Sequence, residues 1–292
     1  MSEDFYTDKT QVRRAFERSA QSYDAAAVLQ REVADRMLER LDLVKLAPQR
    51  MLDAGSGTGY AGPRLRARYK DARLIELDLA LNMLQVAAGK VGLLDKVFTR
   101  RNWQVCADLE ALPLADNSQE LVWSSLAIQW LNEPDRAFRE FHRVLRPEGL
   151  LMFSSFGPDT LLELKQAFAA VDDKPHVNRF IDMHDLGDAL SHAGFSAPVM
   201  DMEKIVLTYG DVKAVMRDLK AIGAHNVALG RNRGLMGKQA FQRACDAYEK
   251  LRRDGRLPAT YEVVYGHAWK PMPKPQLPDG RQVIEFRARP KS

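Results

Sequence analysis

Residues 51–62 read MLDAGSGTGYAG. An apolar run ends in a carboxylate at Asp53, and glycine then recurs at positions 55, 57, 59 and 62. A short apolar run that stops at a glycine cluster reads as a buried strand entering a tight turn. Working outward, the expected strand is RMLDAG, followed by a helix from Pro63 to about Tyr69. The alternation continues with strand ARLIELD, helix LALNMLQVAAGK, a strand near WQVCAD, strand ELVWSS, helix PDRAFREFHRVL and, after RPEG, strand LLMFSSF. Strands separated by helices need crossover connections, hence a parallel sheet with helices on both faces. The fold class is α/β, a doubly wound sheet, and in such sheets ligands bind outside the carboxyl ends of the strands.

The flanks complete a single domain over residues 1–292. Residues 1–46 carry two expected helices, interrupted near Ser22 to Asp24, that form an N-terminal lid. Residues 47–156 are the ligand-binding core, and 157–258 are mostly helical insertions around one strand, KIVLTY. In the insertions Gly194 is placed to end the helix HDLGDALSHAGF. Residues 259–292 hold the C-terminal strands TYEVVYGHAW and RQVIEFRAR. These two are expected to pair antiparallel, because the proline-rich link PMPKPQLPDG is too short for a helical crossover.

The glycine loop fits two patterns. Gly57, Gly59 and Gly62 spell GxGxxG, a dinucleotide signature, whereas Asp53, Gly55, Gly57 and Gly59 spell DxGxGxG. The first pattern sets Asp53 beside a doubly charged pyrophosphate with no nearby lysine or arginine to offset the repulsion. S-adenosylmethionine has no phosphate, and its cationic ammonium and sulfonium favour a carboxylate at the strand tip. Glycines at 55, 57 and 59 then allow close backbone approach and an unusual turn, with Gly62 easing the packing of the following helix. Asp78, after the second strand, is positioned to accept from ribose hydroxyls. Asp108, after the third, is positioned to take the adenine exocyclic amine, with the Leu109 N–H directed at the ring. Ser56, Leu79, Met83 and Ser125 complete the expected cofactor set.

Composition narrows the classes. Hydrophobic residues make up 46% and charged residues 28%, which is ordinary for a soluble globular chain. The acidic, polar start MSEDFYTDKT resembles neither a secretory signal nor a transit peptide, so a cytoplasmic location is expected, with no membrane span. Cys106 and Cys245 stand alone and the six histidines are scattered, so no metal site is expected. Basic residues are not interleaved with aromatics in any nucleic-acid module. The net charge of +4 is uneven: residues 201–292 carry 18 Lys/Arg against 10 Asp/Glu, leaving 25 against 29 before them.

The segments DAGSGTG, ELDLALNML, CADLEALPLADNSQELVWSSLAIQW and REFHRVLRPEGLLMFSSF resemble class I S-adenosylmethionine-dependent methyltransferases, whose fold is a Rossmann-like seven-stranded sheet. VRRAFERSAQSYDAAAVLQ, SSLAIQWL, AFAAVDDKPHVNRF and MRDLKAIGAHN narrow the resemblance to the malonyl-[acyl-carrier-protein] O-methyltransferases of biotin synthesis. That resemblance spans most of residues 12–268. It implies methyl transfer to the free carboxylate of a malonyl thioester, priming pimeloyl synthesis, with S-adenosylhomocysteine as product. A carboxylate nucleophile is already ionised near neutral pH, so no general base is expected. Arg179, Tyr23 and His176 are the expected grips on the carboxylate, one oxygen held and the other free, while Gln129 and Trp130 line the methyl pocket. Acyl carrier proteins are acidic, which gives the basic C-terminal third a partner, through Arg217, Lys220, Arg231 and Arg233. A coenzyme A thioester stays open as an alternative. So do two other readings: FGPDTLLEL, MHDLGDALSHAGF and LPATYEVVYGHAW equally resemble a respiratory complex I assembly factor that modifies protein arginine, and the fold also serves as a non-catalytic cofactor-binding module.

Overall fold

The computed structural model describes residues 6–92, 101–224 and 237–273. Seven strands form one sheet in the order β3-β2-β1-β4-β5-β7-β6. They are β1 (Arg50–Ala54), β2 (Arg73–Asp78), β3 (Asn102–Cys106), β4 (Gln119–Ser124), β5 (Leu145–Phe156), β6 (Ser196–Tyr209) and β7 (Leu257–Trp269). The first five run parallel, while β7 is antiparallel to β5 and β6 antiparallel to β7. Strand order reverses between β1 and β4, which opens the crevice beside the glycine turn.

Alternate residues feed two cores, as the period-2 geometry of a strand requires. Met51, Leu74, Leu121 and Met152 point to one face, against α3 (Val28–Arg40), α4 (Ala61–Arg68), α7 (Leu162–Ala169), α9 (Val212–Ala221) and α10 (Lys238–Glu249). Leu52, Leu77, Val122 and Phe153 point to the other, against α6 (Pro134–Val144) and α8 (Met183–His192). Helix α6 shows the logic most clearly. Proline opens it where no intrahelical N–H is needed, and Ala137, Phe138, Phe141 and Val144 form its buried stripe. Gly194 follows α8 at φ +92°, a left-handed turn that releases the chain from the helix.

Ahead of the sheet lie α1 (Lys9–Ser19), a four-residue helix α2 (Tyr23–Ala26) and α3, so the expected interruption holds a turn of helix of its own. Helix α1 starts cleanly because the Asp8 side chain accepts from the N–H groups of Thr10 and Gln11. Helix α5 (Leu81–Lys90) links β2 towards β3.

One expectation needs correction. RPEG is not a turn ahead of β5 but part of it: Glu148 takes φ +64° and the register with β4 shifts between Gln119 and Leu121, so the turn residues form an irregularity within the strand. The observed partners of TYEVVYGHAW are β5 and β6, both antiparallel to it, which the sequence did not identify. RQVIEFRAR itself lies outside the described residues.

Candidate active site at the carboxyl ends of the strands

The tips of β1, β2 and β4, the loop after β3 and the N-terminal helices enclose a cavity of about 200 Å³. The turn after β1 is possible only with glycine at its key points. Gly55, Gly57 and Gly59 take φ of +81°, +55° and +76°, in the left-handed region. The N–H groups of Gly55 and Ser56 donate to the Leu77 carbonyl at 2.7 and 3.0 Å, which fastens the turn to β2. A Cβ at Gly55 would collide with the Cβ of Ala127, whereas one at Gly57 would meet nothing within 4 Å. Gly57 therefore faces open cavity. Gly59 sits behind the lining, where a Cβ would lie 2.9 Å from both Ala87 and Glu76. Gly62 packs on the Glu76 carboxylate within α4, so it serves helix–strand packing.

Asp53 is 2% exposed, and its Oδ2 has no hydrogen-bond partner. Burial, reinforced by the negative charges of Glu76 and Asp78, pushes its carboxyl well above the ordinary carboxylate range. An unpaired buried carboxylate facing a cavity is a socket for a cation. Asp78 is held in place by the N–H groups of Gly57 and Ala80, both at 2.8 Å. Burial raises its carboxyl too, against the opposing effect of those bonds. Leu79, Met83, Leu109 and Ser125 line the cavity with Ser56.

Asp108 also lines it, and its Oδ2 receives the Lys9 ammonium at 2.6 Å. The same ammonium reaches Glu110 Oε2 at 2.5 Å. Lys9 and Arg31, both at the cavity wall, escaped the sequence reading. They come from helices remote in sequence from the strand tips, and their helical spacing carries no sign of the carboxylates they meet. Arg31 approaches from α3 and donates to the Asp24 carbonyl. The Asp24 side chain in turn accepts from the Thr58 hydroxyl at 2.5 Å and pairs with Lys90 at 2.5 Å. The lid is thus pinned to the glycine turn.

Tyr23 lines the cavity beside Asp78 and Asp24 as a protonated donor, because burial and those two carboxylates raise its phenol. Gln129 is buried, donates to the Leu126 carbonyl at 2.7 Å and leaves Oε1 unpartnered. Trp130 stacks edge-on against Phe16, ring centroids 5.3 Å apart. His176 lines the cavity with its ring stacked on Phe168 and Nε2 2.7 Å from Asp172. Arg179 is not brought to the site: its side chain is exposed, and the residues of its segment that line the cavity are His176, Val177, Asn178 and Phe180. The segment carrying it turns Asn178 inward, so its neighbour points away. Tyr261 from β7 and apolar Phe156, Leu161 and Leu164 also line the cavity.

On the outside, Arg217 and Lys220 are exposed on α9 and join Lys213 in one i, i+4, i+7 stripe. Arg231 and Arg233 lie outside the described residues. Among the described residues no group of His, Cys, Asp and Glu is placed to hold a metal ion, and no helix is long and apolar enough to cross a membrane.

The residues present suit S-adenosylmethionine: a turn whose glycine faces open cavity, an unpaired buried carboxylate for a cation, and acids after β2 and β3 for ribose and adenine. A methyltransferase-domain model matches residues 52–153. Over 291 residues the chain is 64% identical to the malonyl-[acyl-carrier protein] O-methyltransferase of Laribacter hongkongensis, covering 98% of each. The chain belongs to this family. The malonyl-[acyl-carrier protein] O-methyltransferase of Gallionella capsiferriformans is 59% identical over 283 residues and 97% of each chain. A putative methyltransferase of Bacillus halodurans shares the fold, with a TM-score of 0.55 at 18% identity over 80% of this chain and 97% of that one. Membership makes the chain a methyltransferase that uses S-adenosylmethionine. FGPDTLLEL and LPATYEVVYGHAW, which kept the assembly-factor reading open, fall within a match that runs nearly end to end with a malonyl-[acyl-carrier protein] O-methyltransferase.

Proposed function

We propose that the enzyme methylates the free carboxylate of a malonyl thioester carried by acyl carrier protein. The near-full-length similarity to proteins of that name supports the substrate, and the observation that carries the chemistry is the unpaired Asp53 carboxylate at the cavity floor. S-adenosylmethionine supplies an electrophilic methyl on a sulfonium, which the carboxylate oxygen takes by in-line displacement as the C–S bond breaks. Asp53 holds the cofactor's ammonium, Asp78 its ribose hydroxyls, Asp108 its exocyclic amine and the Leu109 N–H its ring. Arg31, a cation at the wall remote in the chain from these acids, receives the methionine carboxylate. Tyr23 and His176 hold the malonyl carboxylate with single hydrogen bonds, which leaves one oxygen free to attack. Gln129 and Trp130 line the methyl passage, and the apolar closure by Phe156, Leu161 and Leu164 keeps water away from it. No residue needs to remove a proton, so catalysis is orientation in a dry site.

The choice of carrier rests on the stripe of Lys213, Arg217 and Lys220 against an acidic partner. Its test is charge reversal. With Lys213, Arg217 and Lys220 all replaced by Glu, KM for malonyl-acyl carrier protein should rise by about tenfold or more, while turnover of malonyl-coenzyme A stays unchanged. Wild-type KM insensitive to salt, together with an unaffected triple variant, would remove the docking surface.

A further inference from the structure

The Lys9 ammonium joins three parts of the site that are far apart in sequence. It is bonded to Asp108 and Glu110 in the loop after β3. Glu110 is only 6% exposed, and its other oxygen accepts the N–H groups of Asn132 and Glu133, both at 3.1 Å. Asn132 completes the bracket: its side chain accepts from the Thr7 N–H at 2.8 Å and donates to the Thr7 carbonyl at 3.1 Å. Beyond this bracket α1 roofs the cavity with Val12 and Phe16, and Phe16 leans on Trp130. Farther on, Asn82 donates to the Glu17 carbonyl, and Ser19 packs closely on Gly223 after α9.

A cofactor seated on the strand tips would lie beneath this roof, so raising α1 widens its way in and out. The far end of α1 is fixed by packing and by the hydrogen bond from the Asn82 side-chain amide. The near end is held by the Lys9 pairs and the Thr7–Asn132 bracket, polar contacts at the rim that water can replace. We propose that Lys9 is a latch that holds the α1 roof closed over the adenine subsite and the methyl-transfer site. The inference rests on the reading that Asp108 receives the adenine amine. Asp108 has room for both roles: Oδ2 takes the ammonium, Oδ1 takes the Glu110 N–H at 3.0 Å, and each oxygen keeps a further lone pair for the amine. The amine is neutral and does not repel Lys9. Adenine and Lys9 therefore share one carboxylate, and Lys9 acts as a positioning residue rather than a catalytic one.

A gate and an affinity contact differ in kinetics. Opening a gate more often speeds entry and exit together, whereas losing an affinity contact speeds exit alone. The test follows S-adenosylhomocysteine binding to the full chain by stopped-flow, comparing wild type with Lys9→Met, which keeps the aliphatic stem and removes the charge. Association and dissociation rates should each rise about fivefold or more, Kd should change less than about threefold, and Lys9→Arg should restore wild-type rates. Glu110→Gln keeps an oxygen for the Asn132 and Glu133 N–H groups while losing the charge facing Lys9. It should shift both rates in the same direction and serves as the second variant if Lys9→Met melts early. Unchanged rates in both variants, or a rise in dissociation alone, would overturn the latch. Failure of the wild-type chain to bind S-adenosylhomocysteine would instead defeat the cofactor reading itself.

Discussion

Asp53, once ionised, carries a cost that a bound cation relieves. Its carboxyl is raised in the folded chain by burial and by Glu76 and Asp78, relative to its ordinary value when unfolded. The folded, ligand-free chain therefore holds an extra proton between those two values, so stability falls as pH rises through that window and stays lower above it. Asp53→Asn should raise the melting temperature of the ligand-free protein at neutral pH by a few degrees, corresponding to about 1 kcal/mol or more. The same change should weaken S-adenosylmethionine binding by at least about tenfold, and calorimetry reads both effects. A variant that binds normally and melts no higher would contradict the role given to this carboxylate. Asp53, Asp78 and Asp108 were legible in the sequence because each sits at or just past the carboxyl end of a strand, and strand tips converge in a parallel sheet. Lys9 was not, because its carboxylate neighbours come from a distant segment, and Arg31 was not, because nothing in the spacing of α3 marks the turn of the helix that faces the cavity. Arg179 was misplaced for a related reason: a coil segment has no periodicity to tell which of Asn178 and Arg179 turns inward.

Elements with a strong apolar period were readable almost to the residue. RMLDAG, ARLIELD and PDRAFREFHRVL correspond to β1, β2 and α6 with ends differing by a residue or so. The antiparallel end of the sheet was harder. The first half of β6 holds Pro198, Asp201 and Glu203 with Val199 and Met202 exposed, so only its KIVLTY half reads as a strand. The glycine turn allows a sharper test, since its glycines do different work. Gly55→Ala forces a Cβ into Ala127 at φ +81° and should abolish cofactor binding. Gly62→Ala strains the contact of α4 with Glu76, away from the cavity lining. It should lower stability by about 1–3 kcal/mol while leaving cofactor affinity within about threefold. Denaturant melts and ligand titration of the two variants separate these outcomes. Loss of binding in Gly62→Ala with the fold intact would revive the dinucleotide pattern that Gly57, Gly59 and Gly62 spell.

At the scale of the whole molecule, the sheet reverses its strand order beside β1, and the N-terminal helices cover the crevice that results. The strand tips bring Asp53, Asp78 and Asp108 to the cavity, and Phe156, Leu161 and Leu164 add an apolar wall. That lining suits a cationic methyl donor meeting an acceptor that arrives already ionised. The fold and the cofactor were therefore accessible from local patterns. The proposed carrier-docking stripe was only half accessible, since it lies on an exposed helix whose direction the fold decides. The central claim, methyl transfer to a malonyl carboxylate, is tested most directly by incubating the enzyme with methyl-labelled S-adenosylmethionine and malonyl-acyl carrier protein. Label should appear on the carrier as an ester that mild base releases as methanol, and acetyl-acyl carrier protein, which lacks the free carboxylate, should acquire none. Label that resists base, or that reaches both carriers equally, would contradict the account.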